Sequence, residues 1–172
     1  MDKVIIFIDG SNFYYGLKKN KEIGFTKLDF NYFAEKLTAG RKYIRTYYYN
    51  ARLDARGNKA KYQAQQRFFD ALNFVPNFTV KFGYLQKTPG GYVEKGVDIN
   101  IAVDMFKLAK DDVYDTAILV TSDADFVPAV EVIQELGKHV ENAFFKKGRS
   151  FNLRKACDNF IELNKSFFKK KV

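Results

Sequence analysis

Two short runs in this chain leave no polar side chain for water: "VIIFI" at 4–8 and "AILV" at 117–120. A strand with one solvated face alternates apolar and polar residues, so unbroken apolar runs of this length predict strands covered on both faces. Such strands belong to parallel sheets, whose neighbours are joined by helices packed on either side. The rest of the chain supplies those helices. Strands are predicted at 3–9, 42–52, 78–86, 115–122, 138–145 and 159–163. Helices are predicted for "SNFYYGLKKN" after Asp9, for 29–37, 58–73 and 97–109, from the proline at 128 to Gly137, and for "SFNLRKACD". "PGG" at 89–91 marks a turn. Strand and helix alternate, and the expected fold is a three-layer α/β/α sandwich around a central, mostly parallel sheet.

At 172 residues with 47% hydrophobic content, one domain with a real core is expected, over 1–165, followed by a basic tail at 166–172. No apolar stretch approaches the roughly 20 residues of a membrane span. "VIIFI" comes too early and is too short for a signal peptide. The single cysteine, Cys157, excludes an intrachain disulfide and a cysteine-based zinc cluster, and fits a reducing cytoplasm. A net charge of +9 favours polyanionic partners.

Against that positive balance, the positions of certain acids stand out. Asp9 closes the first apolar run, and Asp123 and Asp125 follow the second. In a parallel sheet all strand ends of one kind share an edge, and ligands bind outside the carboxyl ends at a switch in strand order. Two fully apolar strands are both central, which brings three carboxylates from distant parts of the chain into one cleft. Asp98, in the first turn of a helix after Gly96, can lean into it as a fourth. On that helix, Ile99, Ala102, Met105, Phe106 and Ala109 are read as the buried side. Asn100, Asp104, Lys107 and Asp111 form a polar stripe, which makes Asp104 a solvated carboxylate by spacing. Like charges gathered in a cleft are costly unless a cation neutralises them. Oxygen ligands without cysteine, beside one histidine, select Mg2+ or Mn2+. That combination can clamp a phosphodiester and activate water. His139 sits at the start of a strand and is read as structural. Asn12 can hold water or phosphate from the first helical turn, or serve as a cap. Taken singly, "DGS" is turn chemistry and "SDADF" a helix cap; their shared place at strand ends is what suggests a site.

Three blocks, "FIDGSNFYYGL", "KGVDINIAVDMFKLA" and "AILVTSDADFVPAVEVIQELGKHV", together resemble the NYN domain family, closest to its LabA-like branch within the PIN-like nuclease superfamily. "CDNFIEL" at 157–163 resembles the family's closing segment. The resemblance implies a PIN-like fold and a divalent-metal ribonuclease that hydrolyses RNA through aspartates at the carboxyl edge. Asp9, Asp98, Asp123 and Asp125 would be the catalytic and metal-binding acids. Asn12, Asp104 and Ser122 would support them, Asp104 matching a recurrent family acid despite its helical phase. Ser122 stands where the family commonly has Gly, and Ala124 where it commonly has Ser. Water would attack to leave a 3′-hydroxyl and a 5′-phosphate.

The expected partner is RNA, single-stranded, with no membrane; a homo-oligomer stays open. "KKGRS" follows a strand at the same edge as the acids, so Lys146, Lys147 and Arg149 are candidates to hold phosphates, and Tyr14 to stack an unpaired base. The same loop also reads as a solubilising one. Two other classes compete. A non-catalytic RNA-binding or regulatory scaffold would keep the acids as a vestige. A glycosyltransferase would use Asp-x-Asp after an apolar strand, but leaves Asp9 and Asp98 unexplained. Phe7 stands where a haloacid dehalogenase-type phosphatase needs an acid, and no Walker loop is present.

Overall fold

The computed structural model describes residues 1–23 and 28–168. Its seven strands are β1 (Lys3–Asp9), β2 (Lys42–Ala51), β3 (Phe78–Thr88), β4 (Gly91–Lys95), β5 (Thr116–Val120), β6 (His139–Phe145) and β7 (Asn159–Leu163). Its six α-helices are α1 (Gly10–Lys19), α2 (Phe30–Thr38), α3 (Lys59–Leu72), α4 (Val97–Lys110), α5 (Val127–Glu135) and α6 (Phe151–Ala156). The strands form one sheet in the order β4-β3-β2-β1-β5-β6-β7, parallel throughout except for β4. The chain builds outward from β1 to β4, then returns through α4 to place β5 against the free side of β1. The switch in strand order therefore lies between β1 and β5, the two strands that carry the apolar runs.

Both faces of β1 are covered, as its composition requires. Val4, Ile6 and Ile8 point into one core with Phe13 of α1, Phe33 and Leu37 of α2 and Phe69 of α3. Ile5 and Phe7 point into the other with Ile101 and Met105 of α4, Ile133 of α5 and Leu153 of α6. The result is the expected three-layer α/β/α sandwich, a PIN-like arrangement. The tyrosine-rich β2 obeys the same alternation, with Tyr48 in the first core and Tyr49 in the second. Four helices, α1, α2, α3 and α6, start on local caps: the side chains of Asp9, Asp29, Asn58 and Ser150 each accept a backbone N–H one turn on.

Three features differ from the sequence reading. The "PGG" turn joins a true antiparallel hairpin, because "GYVEK" pairs with the second half of β3. In α4 the buried side is Val97, Ile101, Met105 and Ala109, whereas Ile99 and Phe106 are exposed, at 69% and 42%. That helix has apolar residues around most of its circumference, so its phase is set by its start. There Val97 is pinned against Gly83 of β3, where an added Cβ would lie 2.7 Å from the Val97 side chain and 2.5 Å from the Lys95 carbonyl. Finally, Phe168 is buried and stacks on Phe33 and Phe145, so packing continues past 165. The basic end of the expected tail, 169–172, lies outside the described residues. Among the described residues no helix is long and apolar enough to cross a membrane.

Gly10 has a steric role rather than a turn role. It opens α1 directly after Asp9, and an added Cβ would sit 2.6 Å from both the Tyr48 ring and the Tyr49 carbonyl oxygen. Tyr48 and Tyr49 are buried and cannot yield. Gly10→Ala is therefore expected to destabilise the fold by about 2 kcal/mol despite alanine's better helix propensity. Urea denaturation checks this; an unchanged or raised midpoint would show that the contact relaxes without cost.

Candidate active site

Because Ile8 of β1 pairs with Val120 of β5, the residues that leave both strands emerge side by side. Asp9 is 6% exposed, although it is ionisable. One of its oxygens caps α1 through the Asn12 backbone N–H at 3.1 Å, and the other accepts the Thr121 hydroxyl at 3.3 Å. Thr121 in turn accepts the Asp123 backbone N–H at 3.2 Å. The Asn12 side-chain oxygen accepts both the backbone N–H and the hydroxyl of Ser122, at 2.9 and 3.0 Å. The first turn of α1 and the segment after β5 are thus stitched together twice. From beneath, the buried amide of Asn142 donates to the carbonyls of Leu119 and Thr121. Asp123 then caps the 3-10 turn Ala124–Phe126 by accepting the Asp125 N–H at 2.9 Å. Thr121 and Asn142 were not among the candidates read from sequence.

Asp98 reaches the same edge from α4. It is open to solvent on one side, yet loss of water and the charges of Asp123 and Asp125 push its carboxyl up. A fifth acid joins it. Glu94 of β4 accepts the Ser11 hydroxyl at 2.8 Å and is raised by partial burial and by Asp98. It lies just past the "PGG" turn, among residues assigned to no element from sequence. Asp9 feels the whole arrangement: burial first, then the charges of Asp98 and Glu94, push its carboxyl up to about 7 against the lowering effect of its two hydrogen bonds. Among the described residues, every ion pair of the chain lies elsewhere; none engages Asp9, Glu94, Asp98, Asp123 or Asp125.

Asp104 stands apart from this group. Its carboxylate accepts the Tyr49 hydroxyl and the Lys81 ammonium, each at 2.7 Å, on the flank of α4 that faces β2 and β3. Lys146, Lys147 and Arg149 follow β6 at the carboxyl edge, as their position implies. Lys147 pairs with Glu22 at 3.1 Å and Arg149 with Glu162 at 3.0 Å, while Lys146 is exposed. Tyr14 is half exposed on α1, with the Lys18 ammonium 4.5 Å from its ring centre. His139 opens β6, at the opposite edge from the acids. Cys157 is buried and its thiol is pushed up to about 12 by that burial, so it is a packing residue.

The donor set is all carboxylate, which suits a hard divalent cation. Among the described residues, no three acidic, histidine or cysteine side chains stand close enough to hold an ion as they are placed. Asp98 and Asp125 are exposed and retain rotamer freedom, whereas Asp9 and Asp123 are fixed by their hydrogen bonds.

Residues 3–164 match the family described as "NYN domain". The chain is 29% identical over 176 residues to the "Low amplitude and bright protein LabA" of Synechococcus elongatus, which covers 98% of this chain and 88% of that protein. It is 37% identical over 71 residues to "Uncharacterized protein MJ0482" of Methanocaldococcus jannaschii, a match to 41% of this chain and 30% of that one. Among solved structures it resembles a Vibrio parahaemolyticus protein of unknown function, VPA0982, with a TM-score of 0.73 at 25% identity over 98% of this chain and 96% of the other.

The raised Asp9 carboxyl makes the metal-free fold sensitive to pH. The group ionises near 3.8 when unfolded and near 7 when folded, so the native state holds the extra proton between those values. The contribution of Asp9 to stability is then fully present below about pH 4 and is lost as pH rises to 7, by as much as about 4 kcal/mol. Asp9→Asn keeps the cap and removes the titration. In the presence of chelator, the variant should gain stability over wild type between pH 5 and pH 8. Parallel curves for the two proteins would mean that Asp9 is ionised without cost.

Proposed function

The chain belongs to the NYN domain family, within the PIN-like nuclease superfamily, and from that premise we propose that it hydrolyses RNA phosphodiester bonds with a divalent cation, Mg2+ or Mn2+. The observation that carries this reading is electrostatic. In a protein of net charge +9, five carboxylates share one edge of the sheet and not one is paired with a lysine, arginine or histidine among the described residues. Asp104, also half-buried, is by contrast paired with Lys81. An acidic cleft repels RNA, so it serves an RNA enzyme only with a cation between the two.

When bound, a divalent cation neutralises charge on the scissile phosphate and makes a water acidic enough to attack near neutral pH. The residues of the chain divide the remaining work. Asp9 and Asp123, held through Thr121, would be the fixed ligands, and Asp98 and Asp125 the mobile ones that close on the ion. Asn12 and Ser122 keep α1 in register with the segment that carries Asp123. Glu94 adds negative charge from the hairpin, which strengthens the demand for a cation. Lys146 and the neighbouring basic loop would meet the flanking phosphates.

A second reading, an RNA-binding or regulatory domain without turnover, draws on the spacing of the acids, which are not gathered on one ion position. One assay separates the two. A labelled single-stranded RNA should be cleaved with Mg2+ or Mn2+ and not with EDTA. Asp123→Asn should cut at least about a hundredfold more slowly, a loss of about 3 kcal/mol in transition-state stabilisation. If wild type binds the RNA and leaves it intact at every metal tested, the domain is a binding module.

A further inference from the structure

Beside the acids, the sheet edge carries a feature of opposite charge. A cavity of about 400 Å³ opens where the chain leaves β2 beneath the β3–β4 hairpin. Arg52, Arg56 and Lys87 supply three positive charges to its wall, and Asp54 one negative. Arg52 follows directly on Ala51, the last residue of β2, so it lies on the same edge as Asp9, whose partner on β2 is Tyr49. The hairpin continues that edge. Its register sets Leu85 opposite Glu94 and Lys87 opposite Tyr92, and alternate residues of a strand share a face. Lys87 and Tyr92 therefore project on the same side of the hairpin as Glu94, which is bonded to Ser11 within the acidic group.

The polar groups of the cavity are sorted in an informative way. Asp54 is spent internally: it takes two hydrogen bonds from the Arg56 guanidinium, at 3.1 and 3.2 Å, and one from the Tyr92 hydroxyl at 2.6 Å. Those bonds hold its carboxyl well below the usual range and fix the Tyr92 ring, which is 44% exposed. Among the described residues no carboxylate pairs with Arg52 or Lys87. The Arg52 guanidinium is braced from below, 4.2 Å from the Phe82 ring centre. The cavity thus presents two unneutralised cations and two exposed tyrosines, of which Tyr92 is held in place by Asp54.

We infer that this cavity holds one unpaired nucleotide of an RNA strand whose backbone continues to the acids, with the base against Tyr92 and its flanking phosphates on Arg52 and Lys87. The inference rests on the ribonuclease reading for its choice of ligand. Unpaired bases stack on exposed aromatic side chains, and cations at the rim follow the backbone. A duplex keeps its base faces covered and offers none to Tyr92. The hairpin, whose second strand was not among those predicted, would therefore select single-stranded substrate and set its path towards the cleft.

Fluorescence anisotropy in EDTA, where no cleavage occurs, tests this with a labelled 12-nucleotide oligouridine alone and the same strand annealed to its complement. Wild type should favour the single strand. Arg52→Glu with Lys87→Glu should weaken binding at least about tenfold and flatten the salt dependence by about 1.4 in log–log slope, about 0.7 for each lost phosphate contact. Tyr92→Ala should weaken it about tenfold, in the range of one lost stacking contact. Lys107→Glu with Lys110→Glu, the same change of charge on exposed positions along α4, should stay close to wild type. Circular dichroism melts confirm that each variant folds. If wild type binds single-stranded RNA and the cavity variants match the α4 control, the cavity is not the subsite and the RNA reading survives. If wild type binds no RNA in EDTA, the cavity assignment falls, while the ribonuclease reading stands or falls with the metal-dependent cleavage assay. Equal affinity for the duplex overturns the unpaired-nucleotide assignment.

Discussion

The acidic edge depends on a carboxylate buried at the end of a strand whose five preceding residues are all apolar. β1 is covered on both faces and flanked on both sides, so Asp9 emerges where the sheet is least able to solvate it. Desolvation favours the neutral acid, and neighbouring carboxylates add to the cost. The fold answers with a backbone N–H and a threonine hydroxyl, and with no cationic side chain among the described residues. A chain with 29 lysines and arginines against 20 acids has ample means to neutralise this site, and directs them elsewhere. That choice is hard to explain by stability, since acid paired with base at the same place would cost less.

The same constraint explains the architecture around Asp9. The chain runs outward to the hairpin before returning to β5, which makes the gap between β1 and β5 the point where loops diverge and a ligand can enter. Thr121 and Asn12 bridge that gap from opposite sides, while Asn142 supports the end of β5 where the ladder to β6 stops. Gly10 lets α1 start against β2 with no side chain between them. The site is held at its base by these hydrogen bonds, while Asp98 and Asp125 at its rim are exposed.

Much of this was visible in residue order. The apolar runs at 4–8 and 117–120 marked the central strands, and the acids that follow them marked the edge. What escaped did so for physical reasons. Glu94 was hidden because "GYVEK" is too polar and too short to announce a strand; it pairs only because β3 extends past the sheet to meet it. The phase of α4 escaped because Ile99 and Phe106 are as apolar as Ile101 and Met105. The choice between the two stripes is made by the close approach of Gly83 to Val97, a tertiary contact with no local signature. Thr121 read as part of the strand expected at 115–122, and its hydroxyl acquires a role only once β1 and β5 are neighbours. Asp104 shows the converse. Its helical spacing set it on a polar stripe, and its partners turned out to be Tyr49 and Lys81 of adjacent strands.

We propose that these acids are left unpaired in order to hold a divalent cation. Crystals grown with Mn2+ and measured at a wavelength that excites it test that most directly. An anomalous peak is expected at the carboxyl edge between β1 and β5, about 2.0–2.3 Å from oxygens of Asp9 or Asp123 with Asp98 or Asp125 drawn in. A protein saturated with Mn2+ that shows no peak there, or shows one only at other carboxylates, would contradict it.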